Sequence, residues 1–140
     1  MIFWKKTKTE KAHPALKQWK ITRRCLRLIL ESAKASYPRE FGGFLRVDRE
    51  EKDTITEIVL LPGTVSGDAH AIFQLHMLPI DFTIIGTAHS HPSGNPHPSE
   101  ADLHLFEKYG RIHIIAATPY TETSWKAYTY DGEEIPLRII

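Results

Sequence analysis

A single cysteine, Cys25, occurs among the 140 residues. An internal disulfide needs two thiols and a cysteine-rich zinc site needs several, so the sequence excludes both. We do not expect Cys25 to be a catalytic nucleophile either, because nothing in its sequence context would activate the thiol.

Excess charge and long apolar runs are also missing. The 18 basic and 17 acidic residues give a formal net charge of +1, so composition offers no reason to expect nucleic acid or a membrane as the main partner. No segment approaches the roughly 20 apolar residues of a membrane span. The first residues, MIFWKK, lack the hydrophobic region of a secretory signal. We therefore expect a cytoplasmic protein.

Residues 1–20 differ in composition from the rest of the chain. They contain six lysines and one acidic residue, Glu10, which is the pattern of a flexible basic tail. The same segment carries Ile2, Phe3, Trp4 and Trp19, and such large apolar groups are uncommon where a chain stays solvated. We therefore expect a basic N-terminal arm that packs on a second subunit, forming a homodimer, or contacts a partner protein.

Residues 21–140 are expected to form one domain, which at this length buries about two-thirds of its unfolded surface. Thr22 is the expected cap of a helix that runs to about Ser36, and a second helix is expected between Ser99 and Gly110. The expected strands cover residues 41–48, 54–61, 71–78, 82–91, 112–118, 124–130 and 134–139, the last two joined by a hairpin turn. This order predicts an α/β domain with a curved, mostly antiparallel sheet flanked by helices.

Two histidines, His89 and His91, close a short apolar run that is rich in β-branched residues. Such a run favours a buried strand. Residues i and i+2 of a strand point to the same face, about 6.6 to 7 Å apart. Both imidazoles can therefore converge on one metal ion with bonds of about 2.0–2.1 Å. The pair is a candidate for a metal site at the C-terminal end of its strand.

Asp102 is the candidate third ligand. The loop after His91 has three prolines within seven residues and cannot be helical. Because Ser99 opens a helical pattern, Asp102 lies in the first turn, where it can face back toward the strand end. Two nitrogens and one oxygen leave a fourth position for water, the arrangement of a catalytic zinc site. His97, in the same loop, is the candidate substitute ligand or substrate contact.

Each of these residues also has an ordinary interpretation. The pattern Ser99-x-x-Asp102 is that of a helix capping box, which is the commoner meaning of the pattern taken alone. Paired histidines at the end of a strand can be ordinary polar residues. The two interpretations of Asp102 are compatible, because a capping box would also fix the direction of its side chain.

The spacing of these residues resembles a known signature. His89-Ser90-His91-Pro92, six further residues and then Ser99-Glu100-Ala101-Asp102 match the pattern H-x-H-P-x6-S-x2-D of the JAMM (MPN+) metalloproteases. The resemblance covers roughly residues 21–140 and is closest to the compact archaeal-type members. The family consists of zinc isopeptidases with a cytidine-deaminase-like fold, which remove ubiquitin or ubiquitin-like proteins.

The resemblance implies a role for each site residue. His89, His91 and Asp102 would hold one Zn²⁺ ion with a bound water as nucleophile. Glu40, which follows the first helix as the family's upstream glutamate does, would be general base and acid, and Ser99 would stabilise the oxyanion. The implied substrate is the amide bond between the C-terminus of a ubiquitin-like modifier and a lysine or amine of a target protein. The modifier is then also a candidate contact for the N-terminal arm.

Three other functions stay open at this point. A non-catalytic MPN-type scaffold that binds ubiquitin-like proteins would not need the signature residues, and all of them are present. An Fe(II) enzyme could use two histidines and one carboxylate, but the sequence shows no signal of a cosubstrate pocket. A peptidase that processes a small peptide or carrier protein would use the same chemistry as the isopeptidase.

Overall fold

A mixed sheet of eight strands is the centre of the computed structural model, which describes residues 18–60 and 81–140. The strands are β1 (Lys20–Ile21), β2 (Gly42–Val47), β3 (Thr54–Leu60), β4 (Ile84–His91), β5 (Ile112–Ala117), β6 (Trp125–Thr129), β7 (Glu134–Ile135) and β8 (Arg138–Ile139). Their order across the sheet is β7-β6-β5-β4-β2-β3-β1-β8. The pairs β1–β3, β1–β8 and β4–β5 are parallel, and the other four are antiparallel.

The two edges of this sheet are joined by a very short piece of chain. Strands β7 and β8 lie at opposite edges, although only Pro136 and Leu137 separate them in sequence. Consecutive Cα atoms are about 3.8 Å apart, so the Cα atoms of Ile135 and Arg138 are at most about 11 Å apart. The sheet must therefore curl until its edges approach each other. The predicted curvature is confirmed.

One predicted strand is wrong in extent. Residues 134–139 were expected to form a single hairpin strand, but the chain pairs with β6 only at Glu134–Ile135. Pro136 has no N–H group to donate to a ladder, so pairing stops there. The chain then joins β1 at the other edge, where the Arg138 N–H donates to the carbonyl of Trp19 at 3.0 Å.

Helix α1 (Arg23–Ser36) packs on one face of the sheet. Its N-cap is Thr22, as predicted, and the Thr22 Oγ1 accepts the Cys25 N–H at 3.1 Å. The buried residues of the helix are Cys25, Leu26, Ile29, Leu30 and Ala33. Burial and then the negative charge of Glu57 raise the pKa of the Cys25 thiol to about 12, so this cysteine is protonated at neutral pH and is no nucleophile.

Helix α2 (Glu100–Lys108) packs on the opposite face. Along β5, Ile114 and Ala116 belong to the apolar cluster beneath α1, whereas Ile115 belongs to the cluster beneath α2. Because alternate residues of a strand point to opposite faces, the two helices cover different sides of the sheet. The apolar cluster between α2 and the sheet includes residues of both and contains Phe44, Leu105, Phe106, Tyr109, Ile115 and Tyr128. Neither described helix has the length and apolar character that a membrane crossing requires.

The start of the domain lies slightly earlier than its sequence suggests. Lys20 pairs in β1 and the side chain of Trp19 is buried, so both belong to the sheet rather than to the predicted arm. Residues 1–17 lie outside the described residues, and the arm stays a prediction. The strand predicted at residues 71–78 also lies outside them.

A glycine in β4 allows close packing of the strands that carry the site. A Cβ atom at Gly86 would lie 1.6 Å from the backbone oxygen of Ile112, its partner in β5, which no side chain could tolerate. Gly110, just beyond the end of α2, has a φ of +126° and so supplies the predicted helix stop at a conformation that other residues rarely adopt.

Candidate metal centre

Three potential ligand atoms converge at the C-terminal end of β4. The Nε2 atoms of His89 and His91 are 3.3 Å apart, and they lie 2.9 and 3.0 Å from the two carboxylate oxygens of Asp102. Within residues 18–60 and 81–140, these three residues form the one group of metal-ligating side chains close enough to share an ion. Ligand atoms around a tetrahedral zinc ion lie about 3.3 Å apart, given bonds of about 2.0–2.1 Å. The donor set therefore fits such an ion in size and in chemistry.

The sheet holds the two histidines rigidly. Strand β4 lies between β2 and β5, with His89 opposite Gly42 on one side and Ile115 on the other. The side chains of His89 and Asp102 are fully buried, whereas that of His91 is 16% exposed. The group is thus closed on the side of His89 and open to solvent beside His91.

His91 is oriented by the loop that follows it. Its Nδ1 atom lies 2.8 Å from the carbonyl oxygen of Asn95. A carbonyl only accepts, so Nδ1 carries a proton and Nε2 is the nitrogen that would bind a metal ion. A second hydrogen bond of this kind usually fixes the ring of a metal-binding histidine.

Asp102 is oriented by a capping box at the start of α2. The Ser99 N–H donates to Asp102 Oδ2 at 2.8 Å, and the Asp102 N–H donates to Ser99 Oγ at 3.1 Å. The capping interpretation of these residues is confirmed, and the same carboxylate faces both imidazoles. Ser99 is exposed and uses its oxygen as an acceptor, so its hydroxyl proton can still be donated to a ligand.

Glu40 lies in the chain between α1 and β2 and is half-buried. The next residue, Phe41, is fixed to the histidine strand by two hydrogen bonds. The Phe41 N–H donates to Ser90 Oγ at 2.8 Å, and the Ser90 N–H donates to the Phe41 carbonyl at 3.0 Å. Because Ser90 lies between the two histidines, this pair of bonds holds Glu40 beside the metal centre.

The electrostatics of His91 reflect this arrangement. Burial lowers the pKa of His91, but hydrogen bonds to Asp102 and to the Asn95 carbonyl raise it, as do the negative charges of Asp102 and Glu40. The net result is a raised pKa. The structure thus brings Glu40 within electrostatic range of His91.

The loop over residues 92–99 is held by side chains that the sequence analysis missed. Thr118 binds the first half of the loop, through its Oγ1 to the Pro92 carbonyl and its N–H to the Ser93 carbonyl, both at 3.2 Å. The Tyr128 hydroxyl donates to the Pro96 carbonyl at 2.8 Å. Bonds to backbone carbonyls leave no mark in a sequence, because every residue type offers the same acceptor.

The remaining histidines fall into three groups. His97 is exposed and lies outside the converging group, so it is no substitute ligand in this arrangement. His104 is exposed on α2, and His113 is buried with both ring nitrogens hydrogen-bonded, as expected for surface and core residues. His13, His70 and His76 lie outside the described residues.

A family model described as prokaryotic homologs of the JAB domain matches residues 22–128, which include every residue of the site. The chain belongs to this JAB domain family. A relative from Haloferax volcanii named "Probable metalloprotease" is 37% identical over 119 residues, covering 79% of this chain and 73% of the relative.

Solved structures agree with the family. A JAB1/MPN domain protein from Archaeoglobus fulgidus is 38% identical, with a TM-score of 0.71, and the match covers 88% of this chain and 98% of that one. A structure described as a JAMM metalloprotease-like zinc site in the proteasome and signalosome is 37% identical, with a TM-score of 0.68 and the same coverage. A protein from Desulfitobacterium hafniense, 19% identical with a TM-score of 0.54 and covering 88% and 93%, supports the fold alone.

The JAB domain assignment and the geometry agree with each other. The single α/β domain, with a curled mixed sheet and one helix on each face within the described residues, has the JAB1/MPN fold. The relatives and the His-His-Asp group together support a metalloprotease of the JAMM/MPN type with a metal site at the end of β4.

Proposed function

We propose that the protein is a zinc-dependent isopeptidase that cleaves the amide bond between the C-terminus of a ubiquitin-like modifier and a lysine or amine of a target protein. One observation carries the proposal. Two imidazole nitrogens and one carboxylate converge within 3.3 Å of one another in a member of the JAB domain family. Glu40 influences His91 electrostatically, and Ser99 is hydrogen-bonded to Asp102.

One zinc ion would be held by His89, His91 and Asp102. When bound, it supplies Lewis-acid chemistry and lowers the pKa of its water from 15.7 toward about 7. The protein's contribution is rigidity, since β4 fixes both histidines and the capping box fixes the carboxylate. Little reorganisation is then needed when a substrate arrives.

Glu40 is the proposed general base and acid. It takes a proton from the attacking water and delivers it to the departing amine, the usual role of a carboxylate within hydrogen-bond reach of both. Two features support this role: the Phe41–Ser90 bonds that hold the adjacent backbone, and the electrostatic influence of Glu40 on His91. The residue is only half-buried, so substrate can reach it.

Ser99 is the proposed oxyanion donor. Its Oγ accepts the Asp102 N–H in the capping box, so the hydroxyl proton is available to the oxygen of a tetrahedral intermediate. Loss of one such donor typically costs about 10²–10³ in rate.

The proposed partner is an extended modifier tail. Main-chain hydrogen bonds to a strand can hold such a tail extended, and its last amide would then have to reach the open side of the site. The homodimer formed through the N-terminal arm, contact of that arm with the modifier and the cytoplasmic location stay predictions from the sequence.

The deciding experiment is incubation of zinc-loaded protein with conjugated and linear ubiquitin-like substrates, with and without a chelator. We expect cleavage of the conjugates that stops when the metal is removed. Cleavage that survives chelation would refute the metal mechanism, and cleavage confined to short peptides would redirect the assignment to a peptidase.

Variants separate the metal site from the base. Glu40→Gln should keep zinc, measured by metal analysis, but lose about 10²–10⁴ in turnover, since general base catalysis contributes that much. His91→Ala should lose both zinc and turnover. Glu107→Gln, an exposed carboxylate on α2, is the matched control and should change neither. Full turnover in Glu40→Gln would exclude this glutamate as the base.

A further inference from the structure

Three side chains form a row on the sheet beside the metal centre. Thr87, His113 and Tyr128 occupy directly paired positions on β4, β5 and β6. Paired residues of adjacent strands share a face, and Thr87 is two residues before His89, so the row lies on the face that carries the site. The row thus runs across the sheet from β4, the strand that carries the histidines, to β6.

Helix α2 contributes the aromatic ring that joins this row. The Phe106 ring stacks on the His113 ring with a centroid distance of 4.5 Å and on the Tyr128 ring with a distance of 5.7 Å. Phe106 follows Asp102 by four residues, so the two side chains lie on the same side of the helix. The same stack therefore supports the helix turn that presents the carboxylate.

His113 is fixed by hydrogen bonds at both ring nitrogens. Its Nδ1 lies 2.7 Å from Thr87 Oγ1 and its Nε2 lies 2.9 Å from the Gly110 carbonyl. Because the carbonyl only accepts, Nε2 carries the proton and Nδ1 accepts from the threonine hydroxyl. The imidazole is consequently neutral and held in one orientation beneath Phe106.

Tyr128, at one end of the row, contacts the loop over residues 92–99, which we call the ligand loop because it lies between His91 and Asp102. Its ring is buried against Phe106, and its hydroxyl donates to the Pro96 carbonyl at 2.8 Å. Pro96 follows Asn95, the residue whose carbonyl accepts from His91 Nδ1. One peptide unit therefore separates the tyrosine's anchor from the group that orients a candidate ligand.

We infer that Tyr128 is a positioning residue for the metal centre: its hydroxyl fixes the ligand loop at Pro96 and thereby holds the Asn95 carbonyl against His91. This role rests on the proposed metal function, because it matters only if His91 is a ligand. The loop over residues 92–99 contains no helix or strand that would hold it through its own backbone. Thr118 holds the first half of the loop, and Tyr128 adds a constraint from the sheet next to Asn95.

The test is the variant Tyr128→Phe, which keeps the ring and its stacking and removes only the hydroxyl. Groups that hydrogen-bond to a metal ligand typically contribute 10- to 100-fold to metal affinity. Tyr128 acts one peptide unit further from the ligand than such a group. We therefore expect zinc affinity, measured by competition with a chromophoric chelator, to fall about tenfold. Tyr130→Phe is the matched control, since this tyrosine lies two residues on and is 57% exposed.

A second readout does not depend on the metal. In the metal-free protein, the His91 Nδ1–H should give a slowly exchanging NMR signal that is weakened in Tyr128→Phe and unchanged in Tyr130→Phe. A merely structural role would lower thermal stability without moving this signal.

The outcomes distinguish the inference from the proposed function. Wild-type zinc affinity together with an unchanged His91 signal in Tyr128→Phe would overturn the positioning role and leave the metal site intact. Failure of the wild-type protein to bind zinc would instead refute the proposed function, and the His91 signal would still decide whether Tyr128 orients the ring.

Discussion

The two faces of the sheet are built from different kinds of side chain. The cluster packed with α1 contains the aliphatic groups and protonated thiol of the helix together with the rings of Trp19, Phe41 and Tyr120. Beneath α2 the buried groups include a carboxylate, two imidazoles and a threonine, together with aromatic rings. Burying apolar surface stabilises a fold, whereas burying polar groups costs free energy unless they are hydrogen-bonded. One face thus supplies stability and the other holds chemistry.

On the face covered by α2, the polar face, hydrogen bonds between the buried groups offset the cost of burying them. His113 is hydrogen-bonded at both nitrogens, and Asp102 accepts from Ser99 while it faces two imidazoles. A metal ion would satisfy the three converging groups still further. The comparison predicts that changes in the buried apolar residues of α1 affect stability alone, and that changes beneath α2 affect the site as well.

The largest expected effect on stability is that of Leu26→Ala, beneath α1. Leu26 is fully buried, and Leu→Ala in such a core costs about 2–5 kcal/mol of unfolding free energy. Zinc affinity of the folded variant should be unchanged. Urea unfolding measures the first quantity and chelator competition the second.

The control for this variant is Leu28→Ala on the same helix. Leu28 is 46% exposed, so its loss should change stability by no more than about 0.5 kcal/mol. If folded Leu26→Ala bound zinc much more weakly than wild type, the two faces would not be independent.

The stability of the protein should depend on pH through His113, a buried histidine of the polar face. Burial, together with the electrostatic influence of His89, lowers the pKa of His113 to about 4, although bonds to the Gly110 and Phe106 backbone oppose this. An unfolded histidine has a pKa of about 6.5, so the unfolded state binds more protons between these values and stability falls as the pH drops from 6.5 to 4. The loss attributable to His113 is about 3 kcal/mol.

His113→Gln in the metal-free protein should reduce this slope. His104→Gln, which changes an exposed histidine on α2, should leave it as in wild type. Urea unfolding at several pH values between 4 and 7 gives the slopes. An unaltered slope in His113→Gln would mean that this imidazole is not the group that destabilises the protein in acid.

Apart from the control variants, the smallest change in stability should come from the caps of the two described helices, which allow the most direct comparison. Thr22 and Ser99 each accept an N–H of the first turn through the hydroxyl oxygen. Replacing either by alanine should cost about 1 kcal/mol. Ser99→Ala should also slow hydrolysis by about 10²–10³, whereas Thr22→Ala should not.

Thermal unfolding and steady-state turnover test this pair, and Ser99→Thr should recover the cap and part of the rate. Equal turnover in the two alanine variants would show that Ser99 is a cap and nothing more.

Local signals in the sequence were enough to predict the two described helices. Thr22, Ser99 and Gly110 mark their ends because a cap or a positive φ depends on neighbouring residues only. The strand with His89 and His91 was predictable for a similar reason, since alternation along one strand fixes which side chains share a face.

Contacts between distant residues were not predictable in this way. The break at Pro136 is visible in the sequence, but the pairing of β8 with β1 depends on how far the sheet curls. The bonds from Ser90 to Phe41 and from Tyr128 to Pro96 join residues 49 and 32 positions apart. Two of these four partners contribute backbone atoms alone, which every residue type offers.

The sequence by itself predicted the groups of the site: two imidazoles, a carboxylate and a serine at the spacing of one family's signature, with a glutamate upstream. Only the tertiary structure decided how those groups are held. Ligand identity is a property of single residues, whereas orientation arises from hydrogen bonds and packing between strands, helix and loop. Those contacts exist only after the sheet has curled and α2 has packed on its polar face.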